Sequence, residues 1–165
     1  MMRRVFGVLV AVAAILGPAA GARAAEETQR FTLYQAPGEE NFTVYAAGPI
    51  SGVGTDYLLE EGVDPSTGAT QRRTETVFPE GSTFNTLTVR QNTLTFDPRT
   101  CVARVVGSSH LEITGGTGAY EGVTGSGQVT FQAIVVGERT PEGCSRTNTR
   151  TYSVAYITGT ATVPS

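Results

Sequence analysis

The chain has 165 residues and a formal charge of −3, with 12 arginines, 15 acidic residues, no lysine and no tryptophan. That length fits one domain, and 20 glycines with eight prolines argue against a helical bundle, because both residues break helices. The acidic balance argues against a nucleic-acid partner, which a basic patch would mark.

The first segment reads as an address. Met1-Met2-Arg3-Arg4 is a short basic stretch, and Val5 to Gly17 is an unbroken run of 13 apolar and small residues. Pro18 ends the run, and Ala22-Arg23-Ala24 offers an A-x-A cleavage site. This is the layout of a secretory signal peptide over 1–24. The apolar run is too short for the roughly 20 residues of a membrane span. Cleavage after Ala24 leaves 141 residues, 25–165, with nine arginines against 15 acidic residues, a charge of −6. That average charge disfavours anionic membranes, and the expected location is extracellular or the cell envelope. Arginine-only cations and an Ala/Val-rich leader resemble a GC-rich bacterial chain, so the Asn41-Phe42-Thr43 sequon is discounted.

Export reframes the cysteines. Cys101 and Cys144 are the only two, an even pair in an oxidising compartment, and a disulfide is the expected state. One histidine and two distant cysteines lack the spacing of a zinc site. No metal and no cofactor is expected.

Beyond Ala25 the chain reads as strands. Alternating, Thr-rich and β-branched runs cover Phe31–Tyr34, Phe42–Thr55, Ala69–Phe78, Ser82–Phe96, Cys101–Ile113, Val123–Val136 and Thr147–Val163. Tyr57 to Asp64 reads as either strand or irregular loop. Ala103, Val105, Leu111 and Ile113 share one parity, and Arg104, Ser108, His110 and Glu112 the other. One dry and one wet face is the pattern of an antiparallel sheet. Parity breaks between Leu87/Val89 and Leu94/Phe96, which predicts a bulge near Arg90-Gln91-Asn92. Seven or eight such strands close into a barrel or pair as a sandwich.

Ile113-Thr114-Gly115-Gly116-Thr117-Gly118-Ala119-Tyr120-Glu121-Gly122-Val123 joins two of these strands. Gly115, Gly116, Gly118 and Gly122 permit positive φ and close backbone approach, and Tyr120, the one large side chain, is expected to plug the barrel end. The glycine spacing is not G-x-G-x-x-G and no helix pattern follows, so a dinucleotide loop is excluded. The segment closely resembles the G-G-[ST]-G-x-[YF]-x-G hairpin shared by allene oxide cyclases and dirigent proteins. Ile113-Thr114-Gly115-Gly116 and Glu121-Gly122-Val123 fit the cyclase form. The resemblance is clear over the last third of the chain. It implies a closed eight-stranded antiparallel β-barrel, calycin-like, with a central apolar cavity and a homotrimeric assembly. No catalytic residue is carried over, because Arg30–Gln35 has no Glu-x-Asn pair and Glu39, Glu40 and Asn41 fall in a loop.

Other chemistry is sparse. His110 reads as a surface residue beside Glu112. No G-x-S-x-G elbow exists. Glu39-Glu40 and Glu60-Glu61 read as acidic loop decoration; Arg72-Arg73 and Arg146 with Arg150 offer an anion site, but as isolated pairs on an acidic protein they read as solvated. Parity places Val105, Phe131, Tyr152 and Tyr156 on the dry face, as walls for a small apolar ligand. Three functions compete: a barrel that binds or guides a small apolar molecule, an isomerase or cyclase acting on a reactive lipid-like or polyketide-like intermediate, and a structural cell-surface barrel without a ligand. A reachable cavity favours the first two over the third. A buried carboxyl with a raised pKa inside it favours the second over the first.

Overall fold

The computed structural model describes residues 26–164. The leader-like segment 1–24 lies outside them. Eight strands follow in chain order: β1 (Glu27–Gln35), β2 (Phe42–Ala47), β3 (Gly52–Val63), β4 (Thr70–Phe78), β5 (Gly81–Asp97), β6 (Val102–Gly116), β7 (Thr124–Thr140) and β8 (Gly143–Thr162). Each pairs antiparallel with the next, and β1 pairs with β8, so the sheet closes into a barrel. Closure removes the sheet edges that would otherwise template aggregation. Among the described residues no helix is long and apolar enough to cross a membrane.

The single run expected over Phe42–Thr55 divides into β2 and β3 around Gly48-Pro49, where proline cannot donate to a ladder. The uncertain stretch after Tyr57 is strand as far as Val63, with a register shift at Leu58/Glu60. Glu60 and Glu61 therefore sit on a strand and not in a loop. They pair with Arg73 at 3.1 Å and Arg72 at 2.6 Å across the β3–β4 ladder. The shift at Val89/Gln91 is the bulge that the broken parity of β5 requires.

The two ends of the barrel differ. At one end lie the β2–β3, β4–β5 and β6–β7 connections, and this end is packed shut. Ile50, Phe78, Tyr120, Val123 and Ala161 are buried there in the core cluster. Tyr120, on a single 3-10 turn (Gly118–Tyr120), meets Phe78 edge to face with ring centres 5.7 Å apart. Its hydroxyl donates to the Ser51 carbonyl at 3.3 Å, so the ring plugs the end as its turn position suggested. Gly118 has φ +60°, and a Cβ there would collide with the Glu80 carbonyl oxygen. Gly122 is also left-handed and Gly116 is crowded by backbone, whereas Gly115 is extended with open space beside it. Gln29 completes this end: its amide donates to Ile50 O and accepts from Ile50 N–H, both at 2.9 Å.

At the other end lie the β1–β2, β3–β4, β5–β6 and β7–β8 connections. β5 to β8 run 15–20 residues against six for β2, so this half of the wall is the taller. A Cys101–Cys144 disulfide ties the β5–β6 turn to the start of β8. Between them, the Gly137 N–H on β7 donates to the Cys101 carbonyl at 2.8 Å.

Candidate functional site

Inward-facing side chains enclose a cavity of about 570 Å³ that reaches toward the tall end. That volume falls in the range of small-molecule sites. Its apolar wall comes from β1 and β6–β8, with Phe31, Leu33, Val105, Leu111, Val129 and Phe131. Cross-strand partners share a face of a sheet. Val105 opposes Ala133, and Phe131 opposes Gly107 and Ala155, which carries an apolar surface across β6, β7 and β8, with Ser109 and Ser153 at its borders. A Cβ at Gly107 would lie 2.5 Å from the Phe131 ring, so glycine there makes the room for the phenyl group.

The facing wall, from β3 to β5, carries a polar strip beside Leu58, Leu87 and Val89. Asp56, Thr74, Thr76 and Asn85 are buried and line the same cavity. The Thr76 hydroxyl donates to Asp56 Oδ1 at 2.6 Å, and Asn85 Nδ2 donates to Thr76 Oγ1 at 3.1 Å and Thr74 Oγ1 at 3.4 Å. The donors run one way, from Asn85 through Thr76 to the carboxyl group. Burial raises the Asp56 pKa above the usual aspartate range, partly opposed by the hydroxyls of Thr76 and Thr74. Beside this group, Thr83 Oγ1 is buried without a hydrogen-bond partner. Toward the mouth the lining gains Glu40 and Arg72. One member of each charged pair thus borders the cavity, where the sequence had suggested decoration and solvation.

Val105 and Phe131 line the cavity, but Tyr152 and Tyr156 do not. They stand on the outer wall, 41% and 56% exposed. The inward parity of β8 belongs to Ser153, Ala155 and Ile157, because Ile157 pairs with Val129 and Ala155 with Phe131. Tyrosine fits both environments and gives no parity signal. Ala155 and Ile157 did give one, and it was outweighed by the larger rings. Asp56 was missed for a related reason: Tyr57, Leu58 and Leu59 are apolar on both parities, and the bulge between Leu58 and Glu60 erases the alternation. His110 lies on the outer face, with Nδ1 3.4 Å from the Gln128 amide and Nε2 3.7 Å from Glu112. Among the described residues no group of three or more His, Cys, Asp or Glu side chains could hold a metal ion.

Comparison of the chain with protein-family models, with curated proteins and with solved structures finds no match.

Proposed function

We propose that this is an exported barrel of the allene oxide cyclase/dirigent type that takes a small, mainly apolar molecule into its cavity. The observation that carries the reading is the cavity itself, with a dry wall on β1 and β6–β8 facing the hydrogen-bonded strip Asp56, Thr76 and Asn85. An apolar lining with a few placed polar groups is what orients a small ligand. The polar strip suits a ligand with a single polar function on an apolar frame. A barrel that serves only as structure has no use for a space of this size beside a buried carboxyl group.

Asp56 also favours a second reading, an isomerase or cyclase. A buried carboxyl group with a raised pKa is suited to hold or deliver a proton. Confinement of a reactive chain in a fixed conformer supplies the rest of the rate. Native mass spectrometry of the protein purified from the producing organism tests both readings. The expected result is a co-purifying small molecule that Asp56→Asn retains and Phe131→Ala loses. A protein that arrives empty and fails to enhance the fluorescence of N-phenyl-1-naphthylamine would refute the proposal.

A further inference from the structure

The acidic average of the chain is unevenly spread: at the open end the β1–β4 side carries Glu39, Glu40, Glu60, Glu61 and Asp64, Glu60 and Glu61 being paired with arginines, whereas the taller β5–β8 side is basic. Outside the cavity, the closed end carries Glu26, Glu27, Glu75, Glu80, Glu112 and Glu121 with Arg30 as its one arginine among the described residues. The tall parts of β5–β8, residues 90–104 and 134–150, carry six arginines against three acidic residues. Arg90, Arg104, Arg146 and Arg150 are exposed there and form no ion pair among the described residues. By contrast, Arg72 and Arg73 on β4 are both paired with glutamates.

The same end exposes large apolar side chains on both sides of the mouth. Leu94 and Phe96 on β5 are 67% and 53% exposed, and Leu58, Leu59 and Val63 on β3 are similarly bare. Leu94 opposes Val105, which lines the cavity, and Phe96 opposes Ala103 on the same face. The dry lining therefore continues from Val105 to Leu94 and from Ala103 to Phe96, out of the cavity and past Asn92 onto the tall wall. Arg104 and Arg150 fall in the alternate register rows of that wall, opposite Thr95 and Val136, on its other face. An apolar edge flanked by unpaired arginines is the composition that seats at a lipid–water boundary, with the apolar groups in the acyl region and guanidinium groups on phosphates.

We infer that the tall β5–β8 side of the open end docks on a phospholipid surface, Leu94 and Phe96 entering the interface and the arginines of β5–β8 meeting anionic head groups. The mouth then faces the bilayer, and an apolar molecule passes between membrane and cavity without crossing water. The docking itself does not depend on what the cavity holds.

Flotation of the purified protein with vesicles of phosphatidylcholine, alone or mixed with phosphatidylglycerol, tests this. Binding is expected to the mixed vesicles and to weaken with added salt. Arg104→Gln and Arg150→Gln are each expected to weaken it about fivefold. Leu94→Asp with Phe96→Asp should abolish it, while Val53→Asp on the outer wall leaves it unchanged. All five positions are exposed, and melting curves confirm that the variants fold. Any apolar leader retained by the protein is common to every variant, so it does not produce these differences. Absence of binding to either vesicle, or equal losses for Val53→Asp and the Leu94/Phe96 pair, would overturn the inference.

Discussion

Thr76 donates its hydroxyl to Oδ1 of Asp56 at 2.6 Å across the β3–β4 ladder, inside the cavity. The two residues are 20 positions apart in the chain, and neither is distinctive in sequence. Together with Asn85 they make the polar strip that an apolar ligand would face. The Asp56 carboxyl is shifted upward mainly by desolvation, so folding and protonation are coupled there.

The coupling has a defined sign. A carboxyl group whose folded pKa lies above its unfolded value, about 3.9, stays protonated in the native state after the unfolded chain has released its proton. Native stability then falls as pH rises from the unfolded pKa through the folded one. Asp56→Asn removes this loss. Urea titrations are expected to show the wild type losing stability relative to the variant above about pH 4, until Asp56 ionises in the folded state. The neighbouring Glu40 and the Glu61–Arg72 pair are common to both proteins. A constant difference at every pH would contradict the assignment.

The interior and outer aromatics are expected to separate in ligand capture. Phe131→Ala should weaken binding of N-phenyl-1-naphthylamine roughly tenfold or more, given about 1.5–3 kcal/mol for a buried large apolar group. Tyr156→Ala should leave it unchanged. Fluorescence is read at matched folded fractions, because truncating a core phenyl group also costs stability, up to about 3–5 kcal/mol. Loss in Tyr156→Ala with retention in Phe131→Ala would place the ligand outside the barrel.

Gly118→Val is expected to lower the melting temperature by several degrees more than His110→Ala. The valine must hold φ near +60° and push its Cβ into the Glu80 carbonyl, a strain of about 1–3 kcal/mol. His110 loses a weak contact with Gln128 and one with Glu112 on the outer face. Equal shifts would show that the turn relaxes around the larger residue.

The disulfide closes a loop of 43 residues, worth about 4 kcal/mol in the chain-entropy model. Cys101→Ser with Cys144→Ser should lower unfolding stability by that order in guanidinium titrations. Alkylation of the unreduced native protein should add no mass, and a gain of two alkyl groups would show free thiols.

Thr83→Val is expected to stabilise the protein by about 1 kcal/mol. The hydroxyl is buried without a partner, and an isosteric methyl group removes its desolvation cost. A lower melting temperature for the valine variant would mean that the hydroxyl has a partner in solution.

Much of the architecture was legible in the residues. The alternation of Ala103, Val105, Leu111 and Ile113 oriented β6, the break between Val89 and Leu94 located a bulge, and two cysteines in a chain read as exported implied their bond. These are local consequences of a period-two backbone and of redox chemistry, so the chain carries them on its surface. The face that Tyr152 and Tyr156 occupy was signalled in sequence only by the small Ala155 and by Ile157, and pairing with β7 and β1 settled it, since tyrosine tolerates either side of a sheet. The meeting of Asp56, Thr76 and Asn85 was invisible, because ladder register across three strands sets it and local pattern does not. Charge shows the same division: the sequence sets its total, but only closure of the barrel gathers the unpaired arginines Arg90, Arg104, Arg146 and Arg150 on one side of the open end. Composition is a sum over residues, whereas a site is a set of distances, and the distances exist only once the sheet has closed.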